Sequence, residues 1–177
     1  MGHRLDLRRD HPDFVPLYIG NYILGGNFSA RLMNRIRDTL GLTYGIRSAL
    51  TDVKVDYDGF WGVSVTLSGE NVAVGTEETI RELERFVAGG VSADELLKKK
   101  TTIAGSFSVG LATTHGLATS ILTNVERGFG PEYLDRVPEE VQSVDLDQVN
   151  AAIREYFDVE RLHVATAGSV ATPSGPA

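Results

Sequence analysis

Cysteine is absent from the 177 residues. Disulfides, thiolate zinc sites and a thiol nucleophile are therefore excluded. A cysteine-free chain suits oxidising and reducing surroundings alike, so the absence does not choose a compartment. Histidine is scarce: His3, His11, His115 and His163 are the full set. No two stand at the i,i+4 spacing that places paired imidazoles on one helix face, and none has a Glu or His at a ligand offset. His163, between Leu162 and Val164 in a strand-like run, reads as structural, and His115, in a first helical turn, reads as solvated. Basic residues are outnumbered, 17 Lys and Arg against 24 Asp and Glu, for a net charge of −7. That balance offers no footprint for nucleic acid. No apolar stretch reaches the length of a membrane span, and residues 1–14 hold no apolar run of the kind a signal peptide needs. Hydrolase and nucleotide motifs are missing too. There is no GxSxG elbow, and the Gly25-Gly26 turn carries neither GxGxxG nor the P-loop pattern and follows a helix instead of a strand.

What is present is an ordinary globular composition, 42% hydrophobic and 23% charged. The length suits one domain, residues 1–170, with a tail 171–177 (ATPSGPA) that has nothing to bury. Residues 4–8 (RLDLR) read as a short edge strand. His11-Pro-Asp-Phe14 opens a helix to about Leu24, with Pro16 tolerable in its first turn and Gly25 at its end. Ser29 suits the N-cap of a second helix with an apolar stripe of Leu32, Met33, Ile36 and Leu40, stopped by Gly41 in a left-handed conformation. Two strands follow. In 43–50, Tyr44, Ile46 and Leu50 share one face and Arg47 takes the other; in 60–67, Trp61, Val63, Val65 and Leu67 alternate with small polar residues. The insert Asp52–Asp58 is their hairpin connection.

The remainder is mostly helical. Ile80, Leu83 and Val87 mark a helix ending at Gly89-Gly90, and Ser92-Ala-Asp-Glu95 is a capping box for the next, through Ile103 and Phe107. Further helices are expected at Thr114–Glu126, near Pro131–Val141, and after the cap Asp145-Leu-Asp-Gln148, with Val149, Ile153 and Phe157 in register. Leu162–Ala167 reads as a last strand. Helices and strands fall in separate groups, which argues an α+β two-layer sandwich with helices on one face of a largely antiparallel sheet. The paired acids Glu139-Glu140 and Asp145/Asp147 sit beside helix starts, where they favour the macrodipole. Lys98-Lys99-Lys100 fan over different helix faces and read as solvated.

Arg37 and Tyr44 stand apart. Singly, each has a plain explanation: an arginine in a last helical turn favours the dipole, and a half-buried strand tyrosine keeps its hydroxyl at the surface. Together, with Gly41 reversing the chain between them, they bring a guanidinium and a phenol toward one end of the sheet. That pair supplies hydrogen-bond donors and no base, so it suits binding a carbonyl oxygen or oxyanion and not proton transfer by itself.

These residues lie in a segment, Leu24–Gly45 (LGGNFSARLMNRIRDTLGLTYG), that resembles the hallmark of the pitrilysin/insulinase (M16) zinc peptidases, in the half that binds no zinc. Matching stretches are His11-Pro-Asp-Phe14, Asn21–Gly26, Ser29-Ala-Arg-Leu32, Ile36–Gly45, Gly59-Phe60, the Ser-Ala-Asp-Glu-Leu96 helix start, Gly128–Leu134 and Val164–Gly168. Two departures stand out: Asp38 replaces the usual Glu, and the strand before Arg8-Arg9-Asp10 is missing or truncated. The resemblance implies the metallohydrolase-like fold of that clan, facing a partner domain or subunit whose HxxEH motif, lacking here, binds zinc. It implies that Arg37 and Tyr44 bind the peptide substrate near the scissile carbonyl, and that the chain holds no metal and hydrolyses nothing alone. The alternative is an inert scaffold or assembly subunit of the same clan. An incomplete first strand further predicts self-association as a homodimer. The resemblance points to a bacterial protein, with the periplasm favoured over the cytoplasm; no nucleic-acid or membrane partner is expected.

Overall fold

The computed structural model describes residues 1–168 and contains a three-stranded antiparallel sheet in the order β1-β3-β2. Its strands are β1 (Gly2–Arg4), β2 (Thr43–Thr51) and β3 (Phe60–Leu67). The central hairpin pairs from Thr51 opposite Phe60 to Thr43 opposite Leu67. Alternation then sorts the side chains: Ile46, Ser48, Trp61 and Val63 are buried, whereas Arg47, Ser64 and Thr66 face solvent. One dry face and one wet face is the pattern of an antiparallel sheet covered on a single side.

The cover is α1 (Phe14–Gly25), a helix buried on nearly every side. It lies between β2 and the last helix, which explains its small residues. A Cβ on Gly20 would stand 2.8 Å from Ile153, and one on Gly25 would stand 2.6 Å from the Ser48 amide. A buried polar chain joins helix to sheet: Trp61 Nε1 donates to Ser48 Oγ at 2.8 Å, and Ser48 Oγ donates to Asn21 Oδ1 at 2.6 Å. Buried polar groups persist only when satisfied in this way. Around this centre pack α2 (Val72–Gly89), α3 (Ala93–Leu111), α4 (Thr114–Glu126), α5 (Tyr133–Ser143) and α6 (Leu146–Tyr156). Both expected capping boxes form, Ser92 with Glu95 and Asp145 with Gln148. The core closes on Trp61 stacked against Phe157 at 4.4 Å.

Several expectations are corrected. The first strand is Gly2–Arg4 and not 4–8; beyond it Leu5 and Leu7 are buried, but only scattered backbone bonds, such as Leu5 N–H to the Gly59 carbonyl, hold the segment. The closing strand 162–167 reduces to one bridge between His163 and Gly2, with the His163 side chain exposed. It is His3 that is structural: its ring is buried edge-on to Trp61, one nitrogen against the Arg4 carbonyl and the other accepting from the Asp158 amide. Lys99 and Lys100 are not simply solvated. Lys99 Nζ donates to Asn27 and Ser29, and Lys100 Nζ donates to the Gln142 and Val144 carbonyls at the end of α5. The expected tail 171–177 lies outside the described residues.

Candidate functional site

Arg37 lies on a π-helix, Met33–Thr39, and not on a regular α-helix begun at Ser29. Ser29 does not cap it; the Ser29 amide and hydroxyl both donate to Asn27 Oδ1 at 3.0 and 2.9 Å. The expected apolar stripe is nonetheless buried through Leu32, Met33 and Ile36. The wider winding shows in the bonds that reach back five residues, from the Leu40 amide to the Arg35 carbonyl and from the Thr39 hydroxyl to the Asn34 carbonyl. Single π-turns of this kind are rare and concentrate at functional sites.

Gly41 then stops the helix at φ 64°, as the sequence predicts. No atom lies within 4 Å of a Cβ placed there, so the glycine is needed for its backbone conformation and not for space. The Leu42 amide reaches back to the Ile36 carbonyl at 3.0 Å and fixes the reversal.

Tyr44 follows at once, and its orientation differs from the expectation. It does not share a face with Ile46. Between Thr43 and Ile46 the pairing with β3 slips by one residue, a bulge that sends the Tyr44 side chain out to 96% exposure while Ile46 stays at 4%. Thr43 holds the bulge: its nearly buried hydroxyl accepts from the Gly45 amide at 3.0 Å and lies within bonding distance of the Thr66 carbonyl across the strand. Alternation alone could not reveal Thr43 in this role, because its signal is one residue of misregister.

Neither member of the pair is used by the fold. The Arg37 side chain is 43% exposed, and its ion-pair partner among the described residues is its neighbour Asp38, at 3.6 Å. Two cavities of about 380 Å³ each form near the N-terminal stretch, and neither includes Arg37 or Tyr44. The pair therefore sits on open surface, carried by a braced platform. Arg31, just ahead of the π-helix, clamps Glu95 at the start of α3 through two bonds of 2.8 Å, donates to the Gly90 carbonyl, and lies over the Phe86 ring. Glu95 is held well below the usual carboxylate range, to about 2, chiefly by these Arg31 bonds and further by Ser92. The Ser29-Ala-Arg-Leu32 stretch is thus an anchor, which the sequence offered only as a motif match.

For metals, His3 is committed at both ring nitrogens, His11 Nδ1 accepts from the Asp13 amide, and His115 and His163 are exposed on separate elements. Among the described residues no group of three or more His, Cys, Asp or Glu could hold a metal ion. No described helix is long and apolar enough to cross a membrane.

The chain as a whole resembles known proteins. The family model for the peptidase M16 inactive domain matches residues 4–103, which includes the π-helix, the Gly41 reversal and the bulge. The chain belongs to the peptidase M16 inactive-domain family. A zinc protease of Bacillus subtilis described as uncharacterized, YmxG, is 27% identical over 148 residues, covering 83% of this chain and 36% of that protein. A crystal structure of a peptidase M16 inactive domain from Pseudomonas fluorescens superposes with a TM-score of 0.76 at 26% identity, over 89% of this chain and 37% of that one. A Helicobacter pylori relative named a non-peptidase homolog of YmxG is 24% identical over 146 residues, covering 81% of this chain and 33% of its own length. This M16 inactive domain thus spans about a third of the length of the curated relatives it matches.

Proposed function

We propose that this M16 inactive domain is the non-zinc half of a zinc metalloendopeptidase, in which Arg37 and Tyr44 grip the peptide main chain near the scissile carbonyl. The observation that carries the reading is the exposure of Tyr44. A ring left 96% open on a bulge contributes nothing to this domain's own core, and the Arg37 guanidinium, separated from it in sequence by the Gly41 reversal, has Asp38 as its ion-pair partner among the described residues. Such a pair suits a surface that is completed by another body.

On this reading the partner is a domain or subunit bearing HxxEH, and the zinc it holds supplies the activated water. This chain supplies donors. The guanidinium offers a fork to a main-chain carbonyl or to the oxygen on which charge develops, and the phenol adds one more donor from the opposite side of the reversal. Donors already fixed in place before reaction stabilise charge without reorganising, and removing one costs about 10²–10³ in kcat in comparable sites. The platform of Arg31, Glu95 and Thr43 fixes the backbone that carries both side chains. The test is complementation: an M16 half carrying HxxEH, inactive on peptides alone, gains cleavage when this chain is added. No gain at saturating concentration, with the two halves shown to associate, removes the proposal.

A second reading, an inert scaffold or assembly subunit of the same clan, draws on the Helicobacter pylori relative's description as a non-peptidase homolog. Association without cleavage in the same experiment is its signature.

A further inference from the structure

Away from the Arg/Tyr surface, the segment joining β1 to α1 half-buries an arginine that has no ion-pair partner among the described residues. Arg9 lies with its guanidinium carbon 3.8 Å from the centre of the Phe14 ring and 5.9 Å from that of Tyr133. Its Nε is buried with no hydrogen-bond partner, and among the described residues no hydrogen bond or ion pair reaches any of its side-chain nitrogens. Glu140, whose charge favours the Arg9 cation without a direct bond, is engaged elsewhere. Glu140 accepts from the Tyr133 hydroxyl at 2.8 Å and pairs with Arg136 at 2.9 Å. Burial strips water from Arg9 and lowers its pKa from 12.5 to about 10; Arg127 adds repulsion, while Tyr133, Tyr18 and Glu140 act in the opposite direction.

Arg9 is among the residues lining a cavity of about 380 Å³ that is also walled by Val15, Pro16, Phe129, Tyr133 and Val144. That volume is at the small end of the range for ligand pockets, roughly 300–1,000 Å³. Phe129 and Tyr133 stack at 4.2 Å and 14°, so one wall is a rigid aromatic surface. The lining charges are two arginines, Arg9 and Arg136, against two acids, Asp10 and Glu140. Arg136 pairs with Glu140, so a ligand would find Arg9 unbonded with Asp10 in the same lining; a single negative charge meets less repulsion there than a dianion such as phosphate.

We propose that this cavity is a binding subsite for a monocarboxylate with a flat apolar body, its carboxylate on the Arg9 guanidinium and its body against Phe129 and Tyr133. Arg9 is suited to that work because the planar fork matches a carboxylate bidentately, and stacking on Phe14 holds the fork still before the ligand arrives. A free aromatic acid and the C-terminal carboxylate of a peptide share this chemistry. The site involves neither Arg37 nor Tyr44, so it stands or falls apart from the proposed protease role.

The experiment is an NMR titration of the 177-residue chain with sodium benzoate at pH 7, with benzamide as the neutral isostere. Saturable shifts are expected at Arg9 Nε–H, Tyr133, Ser143 and Gln148, with a dissociation constant of about 1 mM or tighter, and benzamide should bind at least about tenfold more weakly. Arg9→Lys keeps the charge and loses the fork, and should weaken benzoate about tenfold or more. If that variant fails to fold, the unmutated chain still decides through the location of the shifts and the benzamide control. N-acetylphenylalanine separates the sources: tighter binding than benzoate assigns the site to peptide C-termini, weaker binding to free aromatic acids. Equal shifts with benzamide, shifts elsewhere on the molecule, or no saturation up to about 20 mM would overturn the proposal.

Discussion

Replacing Glu95 by Ala tests whether the platform beneath the candidate site is held as described. The change removes two 2.8 Å bonds from Arg31 and the Glu side of the α3 capping box. Arg31 is then left 27% exposed over Phe86, without its charge partner. A charge-assisted hydrogen bond contributes about 1.5–3 kcal/mol and a cap about 1 kcal/mol. Because the pair is about a third exposed and screened by solvent, the sum is discounted to about 2–3 kcal/mol. For a chain of this length that corresponds to a melting temperature lower by about 5–10 °C. Acid titration gives an independent signature. Glu95 is held near 2 when folded against 4.5 as its ordinary value, so its stabilisation is fully present above about pH 4.5 and is lost as pH falls toward 2. After the same discount that contribution is about 1–2 kcal/mol. Glu95→Gln should therefore melt lower at pH 7 and show a shallower loss of stability between pH 4.5 and 2 than the parent. Thermal melts across that range measure both. A Glu95→Ala melting temperature within 1 °C of the parent, with identical acid limbs, would refute the clamp as a source of stability.

Other consequences follow from single contacts. Ser48→Ala strands the Trp61 indole N–H and the Asn21 side-chain carbonyl oxygen in the core, and should cost about 1–3 kcal/mol by urea denaturation. Gly41→Ala meets no neighbouring atom but must adopt φ 64°, so it should cost about 1–2 kcal/mol with an unchanged denaturant slope. Among the described residues β2 pairs with β3 alone, and β1 is only three residues long. Edges of this kind invite pairing, so light scattering near millimolar concentration should show a homodimer; a strict monomer there contradicts the expectation.

The architecture was legible where one physical signal dominates. Strict alternation in Trp61–Leu67 gave the dry face of β3, Ser92/Glu95 and Asp145/Gln148 gave helix starts, and Gly41 gave the reversal. The family segment singles out Arg37 and Tyr44 as the candidate pair. What stayed hidden depends on small differences. An apolar stripe of three or four residues fits α and π winding alike, so the π-helix at Met33–Thr39 left no mark in the pattern. A bulge inserts one residue and inverts every facing beyond it, so simple alternation places Tyr44 on the face of Ile46 where the structure does not. Long-range partners such as Arg31 with Glu95, or Lys100 with the carbonyls ending α5, have no local signature at all. Arg9 has no signal in the sequence, since a missing ion-pair partner becomes visible only in three dimensions.

The central claim is that Arg37 and Tyr44 serve turnover and not folding. Arg37→Ala removes an exposed ion pair with Asp38 and a helix-dipole interaction, together about 1 kcal/mol, and Tyr44→Phe removes a hydroxyl from a side chain 96% exposed. The measurement is peptide cleavage per folded molecule, by this chain complemented with an HxxEH-bearing half, beside the melting temperature of each variant alone. The account predicts melting within about 3 °C of the parent and a fall in kcat of about 10²-fold or more for each substitution. Unchanged cleavage by variants that melt far lower would make the pair structural and contradict the claim.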